Sequence, residues 1–249
     1  MPRTTLSVNL NKVALLRNSR DIGVPNLIEA ARVVIDNGAH GLTLHPRADA
    51  RHATLDDVLA VAGIPEVTNG AIEFNIEGDL RPELLRLAKA VKATQFTVVP
   101  VTPGELTSRR GWRAYDDQNA LVKTVEGFRG VSRVSVFCDA TEASVRLAAD
   151  AGVDAVEFYT GDYALAFGTP RGDEFLAQLE EAANLARSLK LRVHAGHDLT
   201  QENLPPLLKR IRPDELSIGH AIISESLFKG LAQVVREYVA CVTDNQASN

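Results

Sequence analysis

Short apolar runs with a two-residue period alternate along the chain with longer segments of helical period. Residues 6–10, Leu6-Ser7-Val8-Asn9-Leu10, alternate as a strand, and residues 26–37 then place Leu27, Ala30, Ala31, Val34 and Ile35 on one helical face, with Gly38 as the stop. Gly41-Leu42-Thr43-Leu44 predicts a buried strand that Pro46 ends, because proline brings no donor to a ladder. Thr54 caps a helix over 55–62, with Asp56 and Asp57 in the first turn where the helix dipole favours acids. The unit then repeats: strand 71–76 and helix 82–92 with proline near its first position, strand 95–99 and helix 116–128, strand 133–138 and a helix capped by Thr141 that runs to 151. Strand 154–158 precedes helix 173–189, strand 191–195 precedes helix 201–211, and strand 215–218 precedes a final helix over 222–242. Two connections are long, 100–112 and 159–169, and loops of that length are more often functional than idle.

Eight strands, each followed by a helix, with no Ser/Gly-rich linker and no break in composition, predict an α/β protein folded as a single (β/α)8 TIM barrel over 1–249, with a frayed tail at 244–249. An open doubly wound sheet is the rival architecture. The 249-residue length matches one such barrel, roughly 250 residues. A composition 45% apolar and 24% charged supplies a sizeable core, and a formal charge of -5 argues against a nucleic-acid coat while leaving room for a local basic pocket, so small anions are the expected partners. Cys138 and Cys241 form neither a CxxC pair nor a metal-ligand spacing and are expected to be reduced. The N-terminus lacks the apolar region of a signal peptide and no run reaches the roughly 18 apolar residues of a membrane span, so a cytoplasmic location is expected by default.

In a (β/α)8 barrel the functional residues gather at the C-terminal ends of the strands. Five of the six histidines lie at or near such ends. Thr43-Leu44-His45-Pro46-Arg47-Ala48-Asp49-Ala50-Arg51-His52 crowds two histidines and two arginines after the second strand, a combination suited to a phosphorylated substrate undergoing proton transfers, or else a solvated basic loop. Asn9 and Asn11 follow strand one, Glu77 follows strand three as a candidate general base, and Thr107 lies in the loop after strand four. Glu157, at the end of an apolar run, demands a partner if buried. Gly196-His197 and Gly219-His220 resemble one another and precede the last helices, where backbone N–H groups can cradle phosphate. His194 either packs in the barrel or supports His197; Arg17 and Arg20 either reach a phosphate or remain solvated. No histidine pair has helical metal-ligand spacing.

Val8-Asn9-Leu10, Leu16-Arg17-Asn18-Ser19-Arg20, Gly41-Leu42-Thr43-Leu44-His45 with Arg47 and Arg51-His52, Asn75-Ile76-Glu77, Glu105-Leu106-Thr107-Ser108, Val156-Glu157 with Thr160-Gly161, Ala195-Gly196-His197 and Ile218-Gly219-His220-Ala221 occur in an order that resembles the pyridoxine 5'-phosphate synthase family over almost the whole chain. The resemblance implies condensation of 1-deoxy-D-xylulose 5-phosphate with 3-amino-2-oxopropyl phosphate to pyridoxine 5'-phosphate, phosphate and water, with neither metal nor organic cofactor and with a homo-oligomer, an octamer, as the assembly. It implies proton acceptors at His45 and Glu77, a proton donor at His197, a transition-state stabiliser at Glu157, and substrate or product contacts at Asn9, Arg20, Arg47, His52, Thr107, Asp198, Gly219 and His220.

The chain departs from the family pattern in places. Asn11-Lys12 stands where many relatives carry Asp-His, exchanging a carboxylate and an imidazole for an amide and an ammonium at two expected substrate-binding positions. Asp198 replaces a glycine, so a contact there is expected through its backbone; Tyr159 replaces a histidine of some relatives, and residues 100–104 replace a more charged sequence. An aldolase or isomerase acting on another sugar phosphate, and a non-catalytic sensor of phosphorylated ligands, are the competing readings.

Overall fold

In β1 (Thr5–Asn9), Leu6 and Val8 are fully buried, and between them the Ser7 hydroxyl hydrogen-bonds the Thr43 hydroxyl of β2 (Gly41–Leu44) at 2.7 Å. The same alternation governs β3 (Glu73–Gly78), β4 (Gln95–Val98), β5 (Arg133–Cys138), β6 (Ala155–Tyr159), β7 (Arg192–Gly196) and β8 (Glu215–Ile218). One face of each strand carries the likes of Leu42, Phe74, Ile76, Phe96, Val134, Val156, Val193 and Leu216, all in the apolar core; the other carries Asn75, Thr97, Ser135, Glu157, His194 and Ser217. A computed structural model describes residues 4–20, 22–100, 108 and 110–247, with side chains as far as Asp244. Its strands are parallel, follow one another in chain order and close through β8 on β1, so the barrel is realised and the open sheet is not.

The polar faces point into the lumen. Thr97 donates to the Asn75 side-chain carbonyl at 2.9 Å, and Gln95 of β4 reaches across the barrel to within 3.4 Å of His194 Nδ1 on β7. Lower down, Arg133 binds Glu73 at 2.6 Å. Many barrels fill this space with branched aliphatic side chains; here it is a hydrogen-bonded polar belt enclosed by the strand-to-helix layer that holds the apolar core. His194 is fully buried in that belt, which settles it as lumen packing.

Several elements differ from the sequence pattern. Strand three runs two residues further than expected, because Ile76, Glu77 and Gly78 pair with Phe96, Thr97 and Val98, so Glu77 lies within the strand rather than after it. Asn11–Asn18 is a helix, absent from the expected elements because Leu15 and Leu16 face outward and spoil its amphipathic pattern. A helical turn at Pro65–Thr68 and a short helix at Gly161–Leu165, the latter inside the expected loop 159–169, are likewise absent from the expected elements. The helix after β6 starts early, at Pro170–Ser188, where Thr169 caps its first turn. The helix after β7, Leu204–Ile211, starts late. The final helix is two, His220–Lys229 and Leu231–Ala247, divided at Gly230, whose φ of +85° ends the first; the second continues through the expected tail to Ala247. Among the described residues no helix is long and apolar enough to cross a membrane.

Glu215 tests the cost of the polar lumen. Burial, and then the neighbouring Glu73 carboxylate, push its carboxyl up to about 8 from 4.5. A folded-state value above the unfolded one gives stability that is complete below the unfolded pKa and is lost as pH rises towards the folded one. Glu215→Gln cannot ionise, so its stability relative to the parent should rise between about pH 5 and about pH 8 and then level off. Urea unfolding at several pH values measures this; a constant difference would show that Glu215 ionises as readily in the folded chain as in the unfolded one.

Candidate active site

The C-terminal mouth of the barrel opens into a cavity of about 540 Å³. Asn9, Asn11, Lys12, His45, Arg47, His52, Glu77, Glu157, His197, Asp198, Gly219 and His220, drawn from six of the eight strand ends, all line it. Arg20 is exposed beyond the Asn11–Asn18 helix, outside the lining; Thr107, like 101–106, lies outside the described residues. Arg17 is committed to Asp57, which it grips through both guanidinium nitrogens at 2.5 and 2.8 Å.

Glu77 and His45 meet on the β2–β3 side, with His45 Nδ1 3.8 Å from Glu77 Oε2. Burial pushes the Glu77 carboxyl up to about 7, partly offset by hydrogen bonds from Asn9 at 3.3 Å and from Ser217. Burial, followed by the charges of His52 and Arg47, holds His45 well below the usual histidine range. The contact at neutral pH therefore joins a neutral imidazole to a carboxyl close to its midpoint, a pairing able to accept and pass protons.

Across the mouth Glu157 is 1% exposed, and desolvation first, then the charges of Glu77 and Glu215, keep its carboxyl well above the ordinary range. The partner that burial demanded is missing on one side: Glu157 Oε2 has no hydrogen-bond partner among the described residues. Gly196 makes room for the other oxygen, since a Cβ there would stand 2.6 Å from Glu157 Oε1. His197 follows with φ +85° and Asp198 with φ +56°, two successive non-glycine residues in the left-handed region. Thr160 ties this turn down by donating to the carbonyls of both Gly196 and His197 at 2.6 Å. The His197 ring lies 4.8 Å from Phe137 and 5.3 Å from Tyr159, and burial lowers its pKa despite Asp198.

The two Gly-His segments, alike in sequence, separate in structure. His220 begins the helix His220–Lys229, whose N-cap Gly219 supplies no side-chain cap, so its first N–H groups are available to an anion. After His197 the chain runs through Thr200 and Asn203 before Leu204–Ile211 starts, so that helix terminus is not at the motif. The lining also holds Phe137, Val99, Ser217, Asp162 and Leu165, which sequence reasoning missed, and Tyr159 and Ser108, which it named only as a departure from the family and as part of a matching segment. Phe137, Tyr159 and Ser217 were accessible from the strand period, because each lies two residues from an inward-facing polar position; Ser108 and Leu165 carried no such signal.

The family model of pyridoxal phosphate biosynthesis protein PdxJ matches residues 6–244. A pyridoxine 5'-phosphate synthase of Xanthomonas axonopodis pv. citri is 42% identical over 98% of this chain and 99% of its own length, and one of Xylella fastidiosa is 42% identical over 95% and 94%. Among solved structures, KGPDC from Streptococcus mutans superposes with a TM-score of 0.64 at 13% identity, covering 98% of this chain and 99% of the other. Phosphoribosyl anthranilate isomerase from Thermotoga maritima gives 0.60 at 11%, covering 97% and 99%. At such identities these structures report the barrel alone.

Lys12 and Arg47 give the β1–β2 wall its positive potential; burial, then Arg47 and Lys12, hold His52 down at about 4, and burial keeps His45 low as well. An anion entering there screens those charges and raises both histidine pKa values. Binding of sulfate, which does not itself titrate near pH 5.5, should therefore take up protons, measured by calorimetry in buffers of different ionisation heat; proton release on binding would contradict this assignment of the wall. Arg47→Lys keeps the charge but loses the planar two-pronged geometry, and should weaken sulfate binding roughly tenfold in the same titration.

Proposed function

The chain belongs to the pyridoxal phosphate biosynthesis protein PdxJ family, and from that premise we propose that its barrel mouth condenses 1-deoxy-D-xylulose 5-phosphate with 3-amino-2-oxopropyl phosphate to pyridoxine 5'-phosphate, phosphate and water. The observation that carries the reading is local. Buried His45 Nε2, His52 Nδ1, His197 Nδ1 and Glu157 Oε2 lack hydrogen-bond partners among the described residues, and their side chains line one cavity beside Arg47 and Lys12. Buried polar atoms are rarely left so, and four together suit a polar, phosphorylated ligand with groups to transfer protons.

Joining an amine to a ketone, expelling phosphate and water, and closing an aromatic ring all move protons on and off carbon, nitrogen and oxygen. In this reading Glu77, a carboxyl with its pKa near 7, and His45, a neutral imidazole, accept protons from the substrates. His197, held in its aromatic slot, returns protons to departing oxygen. Glu157 rests as a neutral carboxyl, and positive charge developing on substrate nitrogen draws it towards ionisation, which stabilises that charge. Arg47, His52 and Lys12 take one phosphate, the N-terminus of the helix beginning at His220 suits another, and Asn9, Asn11, Asp198 and Gly219 complete the wall.

The reading extends to setting and assembly. Neither Cys138 nor Cys241 is in a disulfide, which accords with the reducing cytoplasm. Leu15, Leu16, Leu227 and Phe228 are exposed on two helices that touch one another, an apolar surface that supports self-association.

Purified protein mixed with both phosphorylated substrates should yield pyridoxine 5'-phosphate by mass detection. A protein that binds either substrate without turnover would be a sensor instead. Since the base must be ionised, kcat/KM should climb with pH up to about 7 and then flatten, and Glu77→Gln should lose roughly 10²-fold or more together with that rising limb. His197→Asn should slow single-turnover chemistry by a similar factor with little loss of ligand affinity. Equal chemical rates would remove His197 from the reaction.

A further inference from the structure

We infer that Asn9, Asn11 and Gly219 are positioning residues that set the distance between His45 and Glu77, an inference resting on the reading of those two as proton acceptors. Four groups form a closed circuit across β1, β2 and β3. Glu77 Oε2 accepts from Asn9 Nδ2 at 3.3 Å, and Asn9 Oδ1 accepts from the Asn11 backbone N–H at 3.0 Å. Asn11 Oδ1 accepts from the His45 backbone N–H at 2.8 Å, and His45 Nδ1 faces Glu77 Oε2 at 3.8 Å, which closes the circuit. Asn11 thus spends its side-chain oxygen on the main chain of His45, just where Pro46 ends the strand and leaves that residue without further ladder support.

Gly219 belongs to this circuit from outside. A Cβ there would lie 2.8 Å from the Asn9 carbonyl oxygen and 2.9 Å from Asn9 Cβ, closer than a side chain tolerates, and Asn9 would have to move off Glu77. The glycine is accounted for by the asparagine it admits, apart from any part it takes in holding phosphate.

Three variants separate positioning from substrate binding. Asn11→Ala removes the acceptor from His45 and should lower kcat roughly 10- to 100-fold, with KM within about twofold, as displacement of a reacting group does. Asn11→Asp keeps an oxygen at the same reach and should recover most of kcat, its added charge appearing as a higher KM for anionic substrates. Gly219→Ala should move the titration of the Glu77 carboxyl to higher pH, because Asn9 no longer donates to it; carbon-13 NMR of the ligand-free protein reads this without turnover. His45, Glu157 and the Ser217 hydroxyl, the other groups facing Glu77, stay in place in that variant. If Gly219→Ala does not fold, Asn9→Ala removes the same donor and is read in the same way. A Glu77 titration that stays put while KM alone rises, or wild-type kcat in Asn11→Ala, overturns the inference. Should the titration move in a protein that turns over neither substrate, the positioning role stands and the reaction assigned to the site falls.

Discussion

Desolvation of acids is the constraint on which this barrel turns. Glu215, Glu157 and Glu77 stand on its inner wall, where water is largely displaced, and a carboxylate there must be protonated, paired or supplied with donors. The three meet that demand differently. Glu215 lies near the base, where Glu73, Arg133 and Arg192 act on it; Glu157 is held well above the ordinary carboxyl range, with one oxygen unsatisfied among the described residues; Glu77 has two donors and sits near its midpoint at neutral pH. From base to mouth, the lumen passes from ion pairs to a group free to titrate.

Such a lumen is affordable only because stability is drawn from elsewhere. The outward face of every strand packs against helices in one continuous apolar core, so the inward faces need not contribute hydrophobic burial and can be largely polar. What they must do is satisfy one another, and Ser7, Thr43, Asn75, Thr97 and Gln95 do so as an uninterrupted chain of side-chain hydrogen bonds across β1 to β4. Ser135, His194 and Glu215 each retain a buried atom without a partner among the described residues, on the opposite half of the barrel.

The barrel was legible in the sequence because the two-residue and helical periods alternate eight times, and closure follows from that count. Glu77 was placed one structural step too late, since Gly78 reads as a strand end yet pairs with Val98. What the sequence concealed was mostly non-local. Nothing near Arg17 announces Asp57, forty positions on, and nothing in Gly219 announces Asn9, 210 positions back. The likeness of Gly196-His197 to Gly219-His220 misled for the same reason: each glycine clears space for a side chain on a neighbouring strand, Glu157 in one case and Asn9 in the other, and only the second motif starts a helix.

The distribution of charge around the mouth gives a bound anion a direction. Lys12 follows β1, Arg47 and His52 follow β2, and the uncapped helix terminus at His220 follows β8, so the groups that attract phosphate occupy one continuous arc, β8–β1–β2. Glu77 is at the edge of that arc on β3, and Glu157 is on β6, opposite β2 in the ring. In the proposed reading a phosphorylated ligand drawn to the cationic arc extends its carbon framework over Glu77 and towards Glu157, past a wall to which Phe137, Tyr159 and Val99 contribute beside Ser108, Asp162 and His197. In the proposed reaction, protons leaving that framework pass to Glu77, while a departing phosphate stays among cations. The two movements take charge in opposite directions across a low-dielectric site, where fixed groups act with the least screening.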